Sequence, residues 1–590
     1  MENPAPRSAS RPLATRGFEA FLLGLIALGL ACRFVGLNWD EGLQLHPDER
    51  FIIDLVGKLG WPVSVSQWLD STRSPFNPNN LENVTFVYGQ FPLLLGKLAA
   101  MLTGKSDLGA SLPLARSLSA TFDCLTVGLT FLVARRVLPR HWALFAAALV
   151  ALAALHVQQS HFFTVDNFAA FWMLAAFWGA ARWQNKGRAR DALLCGACLG
   201  LALACKISAL FIAFPLAILL VYGVGKFPFR QVFVGALVCA LMALVSFRVF
   251  QPMAFLGEWG FFDLRPDLRF WQDLAGQAAI TNGEADVPFN VQWVGRAPWL
   301  FSARNLGFWG YGWGLLVSGA LGIIFVLLSL RKRDERTPIL LGSALFCLVL
   351  FGVQGAAFSK FTRYFLPMTP FMALLSAYAW QTLVARRRWL RIGPPLVAGF
   401  TALWCVAVAS IYTRPHTRLE ASRWIAANIP PGTRTINETP WDESLPLGWA
   451  PSGTGDLRSQ LLGSYDADTD EKREKILKIL DESEWLFLSS GRSWQNIPRW
   501  PSKWPMTARF YYALWNGDLG FVRAREFTSY PQLGPLQFPD DDAEEALSVY
   551  DHPRVVLWKK GPNYSSAKAR AILQEAPLPI QEEWHPRNAK

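Results

Sequence analysis

The feature that most constrains this chain is a series of long apolar runs between Phe18 and Tyr412. Each run has roughly 16 to 23 residues, and a bilayer-spanning helix needs about 20. The run at 339–358 contains no charged residue, whereas a helix on a soluble core would show a polar face every three to four positions. Charged residues make up only 17% of the chain and hydrophobic residues 52%, which excludes an ordinary soluble protein. We therefore predict an integral membrane protein that crosses the bilayer many times.

The runs predict an all-α bundle of about eleven transmembrane helices. The stretch from Leu193 to Tyr222 is too long for one helix, and we place a short turn at Lys206 in its middle. The predicted spans lie near 17–37, 118–135, 141–157, 166–183, 190–205, 206–223, 230–251, 306–330, 338–358, 363–384 and 391–412.

Basic residues orient these spans, because cytoplasmic loops are enriched in Lys and Arg. With the N-terminal segment 1–16 in the cytoplasm, every later inside loop is basic. The loops 38–117 and 252–305 and the tail 413–590 then lie outside. The formal charge of +12 follows from this pattern, and no nucleic-acid-binding motif accompanies it. The basic residues are Arg7, Arg11, Arg16, Arg135, Arg136, Arg140, Arg182, Lys186, Arg188, Arg190, Lys226, Arg230, Arg331, Lys332, Arg333, Arg336, Arg386, Arg387, Arg388 and Arg391.

The tail differs from the rest of the chain, because charges and prolines become frequent and no run is long enough to span a bilayer. The segment 419–429 has apolar positions at helical spacing, and 471–490 predicts an amphipathic helix followed by a strand from Trp485 to Leu488. The segment 554–560 is a second strand candidate. Helices alternating with short strands predict a small α/β domain, 413–590, on the outer face.

Carboxylates near membrane ends are candidates for chemistry, because removing them from water is costly. The first outer loop carries two adjacent pairs, Asp40-Glu41 and Asp48-Glu49. Either pair could act as a general base on an acceptor hydroxyl or help to hold a metal ion. The alternative is a helix start, since Pro47, Asp48 and Glu49 also suit a first helical turn.

The second outer loop and two later boundaries supply the remaining candidates. Asp166 begins a span close to His161, where it could also be a helix cap. Lys206, Lys360 and Arg363 lie where a lipid phosphate could bind. Contact with lipid headgroups through extended side chains is the alternative for any one of these cations.

Several short motifs, in order along the chain, resemble those of the GT-C membrane glycosyltransferases, specifically the protein O-mannosyltransferase and aminoarabinose transferase superfamily. The motif 46-HPDERF-51 is similar to the first-loop carboxylate motif, and 161-HFFTVDNFAAFW-172 to the second-loop motif. The stretches 199-LGLALACKISAL-210 and 360-KFTRYFLPMTP-370 resemble later family motifs, and 418-RLEASRWIAANIPPGT-433 resembles the start of the outer domain in many bacterial members.

The resemblance implies a GT-C fold and an inverting, hexosyltransferase-like enzyme that takes its sugar from a polyprenyl-phosphate donor. It implies Asp48 as the catalytic carboxylate, with Glu49 beside it and Asp166 facing the same cavity. Lys206, Lys360 and Arg363 would bind the donor phosphate, and Asp40-Glu41 remains the alternative catalytic pair. No cofactor is certain, although a divalent metal held by Asp48, Glu49 and His161 stays open. The tail shows no lectin-like repeat, which leaves a lipid, a glycan or a protein as acceptor.

Two other classes of function stay open from the sequence. A transporter or flippase for lipid-linked sugars is one, although we find no internal repeat of the kind many transporters have. A non-catalytic membrane scaffold is the other, although the ionisable candidates cluster on the outer side. The sequence does not specify the sugar, the carrier, the oligomeric state or the role of the tail. We expect a multi-pass protein of a bacterial inner membrane.

Overall fold

The computed structural model describes residues 13–104, 109–330, 334–438, 444–449 and 457–575. Most of the N-terminal segment 1–16, with Arg7 and Arg11, and the loop residues Arg331, Lys332 and Arg333 lie outside the described residues. The helices of the membrane domain are α1 (Leu13–Cys32), α2 (Pro47–Lys58), α3 (Val65–Leu69), α4 (Gln90–Leu102), α5 (Leu112–Ala134), α6 (Arg140–Leu152), α7 (Ala154–Ser160), α8 (Asp166–Lys186), α9 (Ala189–Leu203), α10 (Ala213–Val221), α11 (Phe229–Phe250), α12 (Leu268–Asn282), α13 (Leu300–Asn305), α14 (Trp313–Ser329), α15 (Thr337–Ala356), α16 (Thr369–Arg386) and α17 (Gly393–Ala409).

Each predicted apolar run coincides with a helix or a broken helix pair of this domain. In the described part of the chain, six helical segments are long and apolar enough to cross a membrane, and a seventh results if α6 and α7, bent by 54° at Ala153, form one span. These segments indicate an integral membrane protein. The number of about eleven spans stays a prediction, because helices such as α8, α9 and α16 do not meet the same criterion of length and hydropathy.

Small residues let the helices approach closely, as expected where dispersion rather than water exclusion drives association. A Cβ added at Gly29 of α1 would lie 2.3 Å from the carbonyl oxygen of Ala151 in α6. A Cβ added at Gly322 of α14 would lie 2.2 Å from the carbonyl oxygen of Leu375 in α16. Helix backbones are therefore in direct contact at these crossings, which holds the bundle in one arrangement.

The predicted turn at Lys206 is present. Helix α9 ends at Leu203, Lys206 is extended (φ −161°, ψ 124°), and a short 3₁₀ turn leads into α10. The apolar sequence on both sides keeps the two helices in the bundle, and the break carries one half-buried cationic side chain. The carbonyl oxygens of Ala204 and Cys205 in the break accept hydrogen bonds from the backbone N–H groups of Phe91 and Gly89. The chain thus directs a single ammonium group to one end of the bundle.

The C-terminal domain is α/β, as predicted. Its helices are α18 (Thr417–Asn428), α19 (Asp470–Glu482), α20 (Arg492–Asn496), α21 (Pro505–Trp515), α22 (Glu545–Ser548) and α23 (Ser566–Gln574). Its strands are β1 (Arg434–Asn437), β2 (Arg458–Leu461), β3 (Trp485–Leu488), β4 (Phe521–Phe527), β5 (Gln532–Leu533), β6 (Leu536–Gln537) and β7 (Val555–Lys560). The strand predicted from Trp485 to Leu488 is β3, and the candidate at 554–560 is β7.

The sheet has the order β2-β1-β3-β7-β4, in which β2, β1 and β3 are parallel and β7 runs antiparallel to both its neighbours. All four residues of β3 are buried, which explains the uninterrupted apolar sequence of a central strand. Helix α19 buries Ile476, Leu477, Ile479 and Leu480 among the residues that cover the sheet, in the i, i+3, i+4 pattern of an amphipathic helix.

The segment 540–552 of the C-terminal domain, which we call the docking segment, contacts the bundle. Gln158 of α7 donates hydrogen bonds from Nε2 to the Leu547 carbonyl oxygen (2.6 Å) and to Oδ2 of Asp551 (3.1 Å). The hydroxyl of Tyr412 donates to the same carboxylate oxygen over 2.7 Å. Oδ1 of Asn305 accepts from the backbone N–H of Glu544 at 2.7 Å. These buried polar contacts bring the C-terminal domain against one end of the bundle.

Candidate functional site

A cavity of about 710 Å³ lies where the end of the bundle meets the C-terminal domain. Its apolar lining includes Ala169 and Met173 of α8, Phe211, Leu274 of α12 and Leu350 of α15. Its polar lining consists of Asp48, Tyr88, Asp166, Lys206, Ser208, Gln277, Thr281, Asn282, Gln292, Gln354, Arg363, Tyr364, Arg492 and Tyr550. The space therefore suits a ligand with an apolar part and a charged part.

Asp48 and Arg363 form an ion pair in this cavity. The imidazole Nδ1 of His46 accepts a hydrogen bond from the backbone N–H of Glu49 and so caps α2, whose first turn carries Asp48. A guanidinium nitrogen of Arg363 lies 2.5 Å from Oδ2 of Asp48, with side chains 15% and 30% exposed. Burial alone would raise the pKa of Asp48, but the charge of Arg363 outweighs it and holds the pKa below the usual range. Asp48 is therefore an ionised carboxylate that faces the cavity.

Asp166 and Lys206 form a second pair. Asp166 is the first residue of α8, and its Oδ1 accepts a hydrogen bond from Nζ of Lys206 at 2.8 Å. The ammonium group also lies 4.5 Å from the ring centre of Tyr364, in cation–π contact. The break after α9 and the start of α8 thus bring opposite charges together from positions 40 residues apart.

Asp48, Asp166, Lys206 and Arg363 all line this one cavity, although they come from four separate segments. The structure thus brings together four of the residues singled out from the sequence. Lys360 is not among the described lining residues; its ammonium group donates to the Phe358 carbonyl oxygen at 3.0 Å. Burial lowers the pKa of Lys360 to about 8.

Glu49 and Asp40 face away from the cavity, toward Arg116 of α5. The guanidinium NH2 nitrogen of Arg116 lies 2.6 Å from Glu49 and 2.8 Å from Asp40, with all three side chains fully buried. Oε1 of Glu49 also accepts the backbone N–H of Phe163 at 2.7 Å. Successive helical residues differ by about 100° in direction, which explains why neighbours Asp48 and Glu49 face different surroundings. This cluster joins the first loop to the bundle.

Glu41 and His161 are also held outside the cavity. Glu41 accepts hydrogen bonds from the guanidinium of Arg423 in α18 at 2.7 Å. The two imidazole nitrogens of His161 lie 2.7 Å from the Val157 carbonyl oxygen and 2.8 Å from that of Val35, and its ring stacks on Tyr412. Within the described ranges, no group of three His, Cys, Asp or Glu side chains is placed to hold a metal ion. Glu49 and His161 have other partners, so they do not join Asp48 in a ligand set.

The polar residues of the cavity that the sequence did not predict include Tyr88, Tyr364, Arg492 and Tyr550. Tyr364 lies within the motif 360-KFTRYFLPMTP-370, in which only the cations were predicted to bind a ligand. Arg492 follows β3 in the segment 489-SSGRS-493, and ligands commonly bind beyond the carboxyl ends of parallel strands. That topological rule was the available signal for Arg492. No comparable signal pointed to Tyr88 or Tyr550.

Residues 92–251 match the model of the family described as dolichyl-phosphate-mannose-protein mannosyltransferase. This match confirms the resemblance to the superfamily of protein O-mannosyltransferases that the motifs indicated. The matched range contains Asp166 and Lys206, whereas Asp48 and Arg363 lie outside it. No curated protein sequence matches the chain.

Solved structures similar to this chain include three proteins of low sequence identity. The oligosaccharyltransferase AglB from Archaeoglobus fulgidus, in complex with an inhibitory peptide and a dolichol-phosphate, is 14% identical, over 79% of this chain and 69% of that chain, with a TM-score of 0.45. ArnT from Cupriavidus metallidurans, bound to undecaprenyl phosphate, is 13% identical over 92% of this chain and 98% of that chain, with a TM-score of 0.43. The Pmt1-Pmt2 complex of S. cerevisiae is 20% identical over 42% of this chain and 35% of that chain, with a TM-score of 0.30.

Proposed function

We propose that this protein is an inverting glycosyltransferase, which moves a sugar from a polyprenyl-phosphate donor to an acceptor hydroxyl. The observation that supports this most is the composition of one cavity. Two carboxylates, Asp48 and Asp166, and two cations, Lys206 and Arg363, lie beside an apolar wall that includes Met173. A lipid-linked sugar phosphate presents the matching groups: an anionic phosphate, a polar sugar and a hydrocarbon chain.

Lys206 and Arg363 are the groups that bind the donor phosphate in this proposal. Both cations are partly exposed to the cavity, 22% and 15%, and both are paired with carboxylates that also line it. A phosphate entering between them can accept hydrogen bonds from both without leaving either charge unpaired. Their charge also stabilises the phosphate as it leaves the sugar. Tyr364, in contact with Lys206, restricts where that ammonium group can point.

Asp48 acts as the general base. The acceptor oxygen attacks the anomeric carbon from the face opposite the phosphate, the bond from that carbon to the phosphate oxygen breaks, and the acceptor proton passes to the Asp48 carboxylate. Attack opposite the leaving group inverts the configuration at the anomeric carbon. Sharing Arg363 with the incoming phosphate weakens its hold on Asp48, and this raises the pKa of Asp48 toward a value suited to accepting a proton.

The catalytic test compares wild type with Asp48→Asn in nanodiscs, supplied with polyprenyl-phosphate sugars and a panel of hydroxyl acceptors. We expect turnover by wild type and a loss of about 10²–10⁴-fold in Asp48→Asn, the contribution typical of a general base. Asp54→Asn is the matched control, because Asp54 is exposed on the same helix α2 and does not line the cavity. Equal turnover in Asp48→Asn and Asp54→Asn would contradict the role of Asp48.

The donor site has a separate test. Lys206→Gln and Arg363→Gln should weaken the binding of undecaprenyl phosphate, measured by native mass spectrometry, about tenfold or more, because each removes a charge-assisted hydrogen bond. Lys360→Met should leave it unchanged, since the Lys360 ammonium group points to the Phe358 carbonyl oxygen. Undiminished binding in both cavity variants would contradict a donor phosphate at this position.

We also propose that the cavity and the C-terminal domain face the outer side of the membrane, as the distribution of basic loops predicts. The test introduces Asp518→Cys, at an exposed position between α21 and β4. The eight native cysteines are buried or partly buried, so they give a low background. A membrane-impermeant maleimide should label this variant in intact cells. Labelling that requires cell lysis would reverse the orientation.

A further inference from the structure

Two side chains of the cavity belong to the C-terminal domain rather than to the membrane bundle. Arg492 begins α20, directly after β3, and Tyr550 lies in the docking segment. The guanidinium NH2 nitrogen of Arg492 donates to the Tyr550 hydroxyl at 3.3 Å, and the guanidinium carbon lies 5.7 Å from the ring centre of Tyr550. The C-terminal domain is therefore part of the cavity wall, and its contribution is one connected pair.

This pair lies close to Asp48. The ring of Tyr550 packs on the ring of His46 with centroids 4.4 Å apart, and His46 caps the helix whose first turn carries Asp48. The backbone carbonyl oxygen of Tyr550 also accepts from Nε2 of His416 at 3.0 Å, which fixes the segment in place. The cavity that Asp48 lines thus has two further sets of polar groups. One set is Arg363 with Lys206, from the bundle, and the other is Tyr550 with Arg492, from the C-terminal domain.

The two sets differ in how their charge is balanced. Arg492 forms an ion pair with Glu545, which is not among the described residues that line the cavity. Asn496 donates a hydrogen bond of 2.6 Å to the second carboxylate oxygen of Glu545. The side chains of Arg492 and Glu545 are only 8% and 7% exposed. In contrast, the counter-ions of Arg363 and Lys206 themselves line the cavity, so a ligand can exchange with them. The charge of Arg492 is therefore already balanced within its own domain.

We propose that Arg492 and Tyr550 bind the acceptor, and that the acceptor is a neutral, hydroxyl-rich sugar ring of a glycan. This inference rests on the proposed function, in which Lys206 and Arg363 hold the donor phosphate and Asp48 takes the acceptor proton. The ring face of a tyrosine packs against the C–H face of a sugar, while its hydroxyl and a guanidinium supply directed hydrogen bonds to sugar hydroxyls. A site with balanced charge favours such a neutral ligand over a second phosphate.

The experiment measures two ligands on the full-length protein in nanodiscs. The first is a panel of neutral mono- and oligosaccharides, followed by saturation-transfer NMR, and the second is undecaprenyl phosphate, followed by native mass spectrometry. Tyr550→Phe removes one hydroxyl, and the double variant Arg492→Gln with Glu545→Gln replaces the ion pair by neutral amides of similar shape. Tyr512→Phe is the matched control, because Tyr512 is an exposed tyrosine of the same domain on α21 and is outside the described cavity lining.

We expect wild type and Tyr512→Phe to bind at least one saccharide of the panel equally well. Tyr550→Phe should weaken this binding about 2–10-fold, and the double variant about tenfold or more, as expected for one neutral and several charge-assisted hydrogen bonds. Both should bind undecaprenyl phosphate within about twofold of wild type, since the donor cations are untouched. Lys206→Gln should bind the saccharide as well as wild type does and should bind undecaprenyl phosphate more weakly.

Three results would overturn the inference. They are a loss of undecaprenyl phosphate binding in Tyr550→Phe or the double variant, saccharide binding that neither variant changes, and a wild type that binds a serine-containing peptide at this site but no saccharide. Failure of wild type to bind undecaprenyl phosphate would count against the proposed donor instead. The saccharide measurement would still decide whether Arg492 and Tyr550 form a sugar site.

Discussion

Replacing Arg363 with Gln should move the acid limb of the pH–rate profile to higher pH. The reasoning depends on the ion pair between Arg363 and Asp48, in which nitrogen and oxygen are 2.5 Å apart. Asp48 must be ionised to accept a proton, and Arg363 favours the ionised form. Without Arg363 the effect of burial remains, and burial raises the pKa of Asp48. The carboxylate would then become protonated, and activity lost, at a higher pH than in wild type.

The size of the shift follows from the geometry. An adjacent arginine lowers the pKa of an aspartate by about 1–3 units, and each unit corresponds to about 1.4 kcal/mol. Because the two side chains are 15% and 30% exposed, solvent screens part of the interaction, and we expect a smaller shift than a fully buried pair would give. His46 cannot replace the lost charge, since burial lowers its pKa to about 4. Lys206 remains, but it is a weaker influence on Asp48 than Arg363.

The assay measures kcat/KM for sugar transfer between about pH 4 and pH 9, because this ratio reports the ionisation of the free enzyme. In wild type, protonation of Asp48 should not lower kcat/KM at any pH above 3.8, the ordinary pKa of an aspartate. In Arg363→Gln, kcat/KM should begin to fall at a pH above 3.8. The overall rate will also fall through weaker donor binding, but a uniform fall does not move the limb. Lys206→Gln serves as the comparison, with a similar loss of donor binding and a smaller shift. An acid limb at the same pH in wild type and Arg363→Gln would refute Asp48 as the base.

Three further predictions concern residues around the cavity. Burial raises the pKa of Glu544 from 4.5 to about 7. The free energy of unfolding should therefore fall by about 3 kcal/mol as the pH rises from about 4.5 to 7, because the unfolded chain ionises first. Glu544→Gln should remove this pH dependence, measured as the thermal midpoint. Arg116→Gln should destabilise the protein by about 3–5 kcal/mol, because Asp40 and Glu49 would stay buried without a cation. Arg570→Gln, in an exposed pair with Glu474, should change the thermal midpoint little. His552→Asn should lower the thermal midpoint at pH 7, because His552 is held charged between Asp551 and Asp540, which raise its pKa to about 10.

The helices were predictable because their sequence signal is local. An apolar run long enough to span a bilayer needs no distant partner to be recognised, and the runs 230–251 and 338–358 coincide with α11 and α15 within two residues. The lysine between two apolar stretches likewise indicated the break at Lys206. The bend of 54° between α6 and α7 was not predicted, since 141–157 shows one uninterrupted apolar run. A local pattern of hydrophobic residues does not specify the direction of the helix axis.

The candidate site was predictable only in part, and Asp48 and Glu49 show why. Composition and position along the membrane selected both carboxylates, but not which one faces the cavity. That depends on Arg116, more than 60 residues away, which holds Glu49 within the bundle. The resemblance to a family, rather than any physical pattern, placed Asp48 first. Arg492 was missed because its position in the cavity requires the docking of two domains, through contacts between residues nearly 400 positions apart.

Every charged side chain in the described cavity lining has a partner of opposite charge. Arg363 is paired with Asp48, Lys206 with Asp166, and Arg492 with Glu545. A donor phosphate must therefore exchange with a carboxylate instead of filling an empty cationic site, and the carboxylate it partly releases at Arg363 is the proposed base. Binding of the donor and activation of Asp48 then become one event, because the same guanidinium serves both. In the pair of Arg492 and Glu545, the carboxylate lies outside the described lining, so a phosphate in the cavity cannot exchange with it. For that reason we place the acceptor, not the phosphate, beside Arg492.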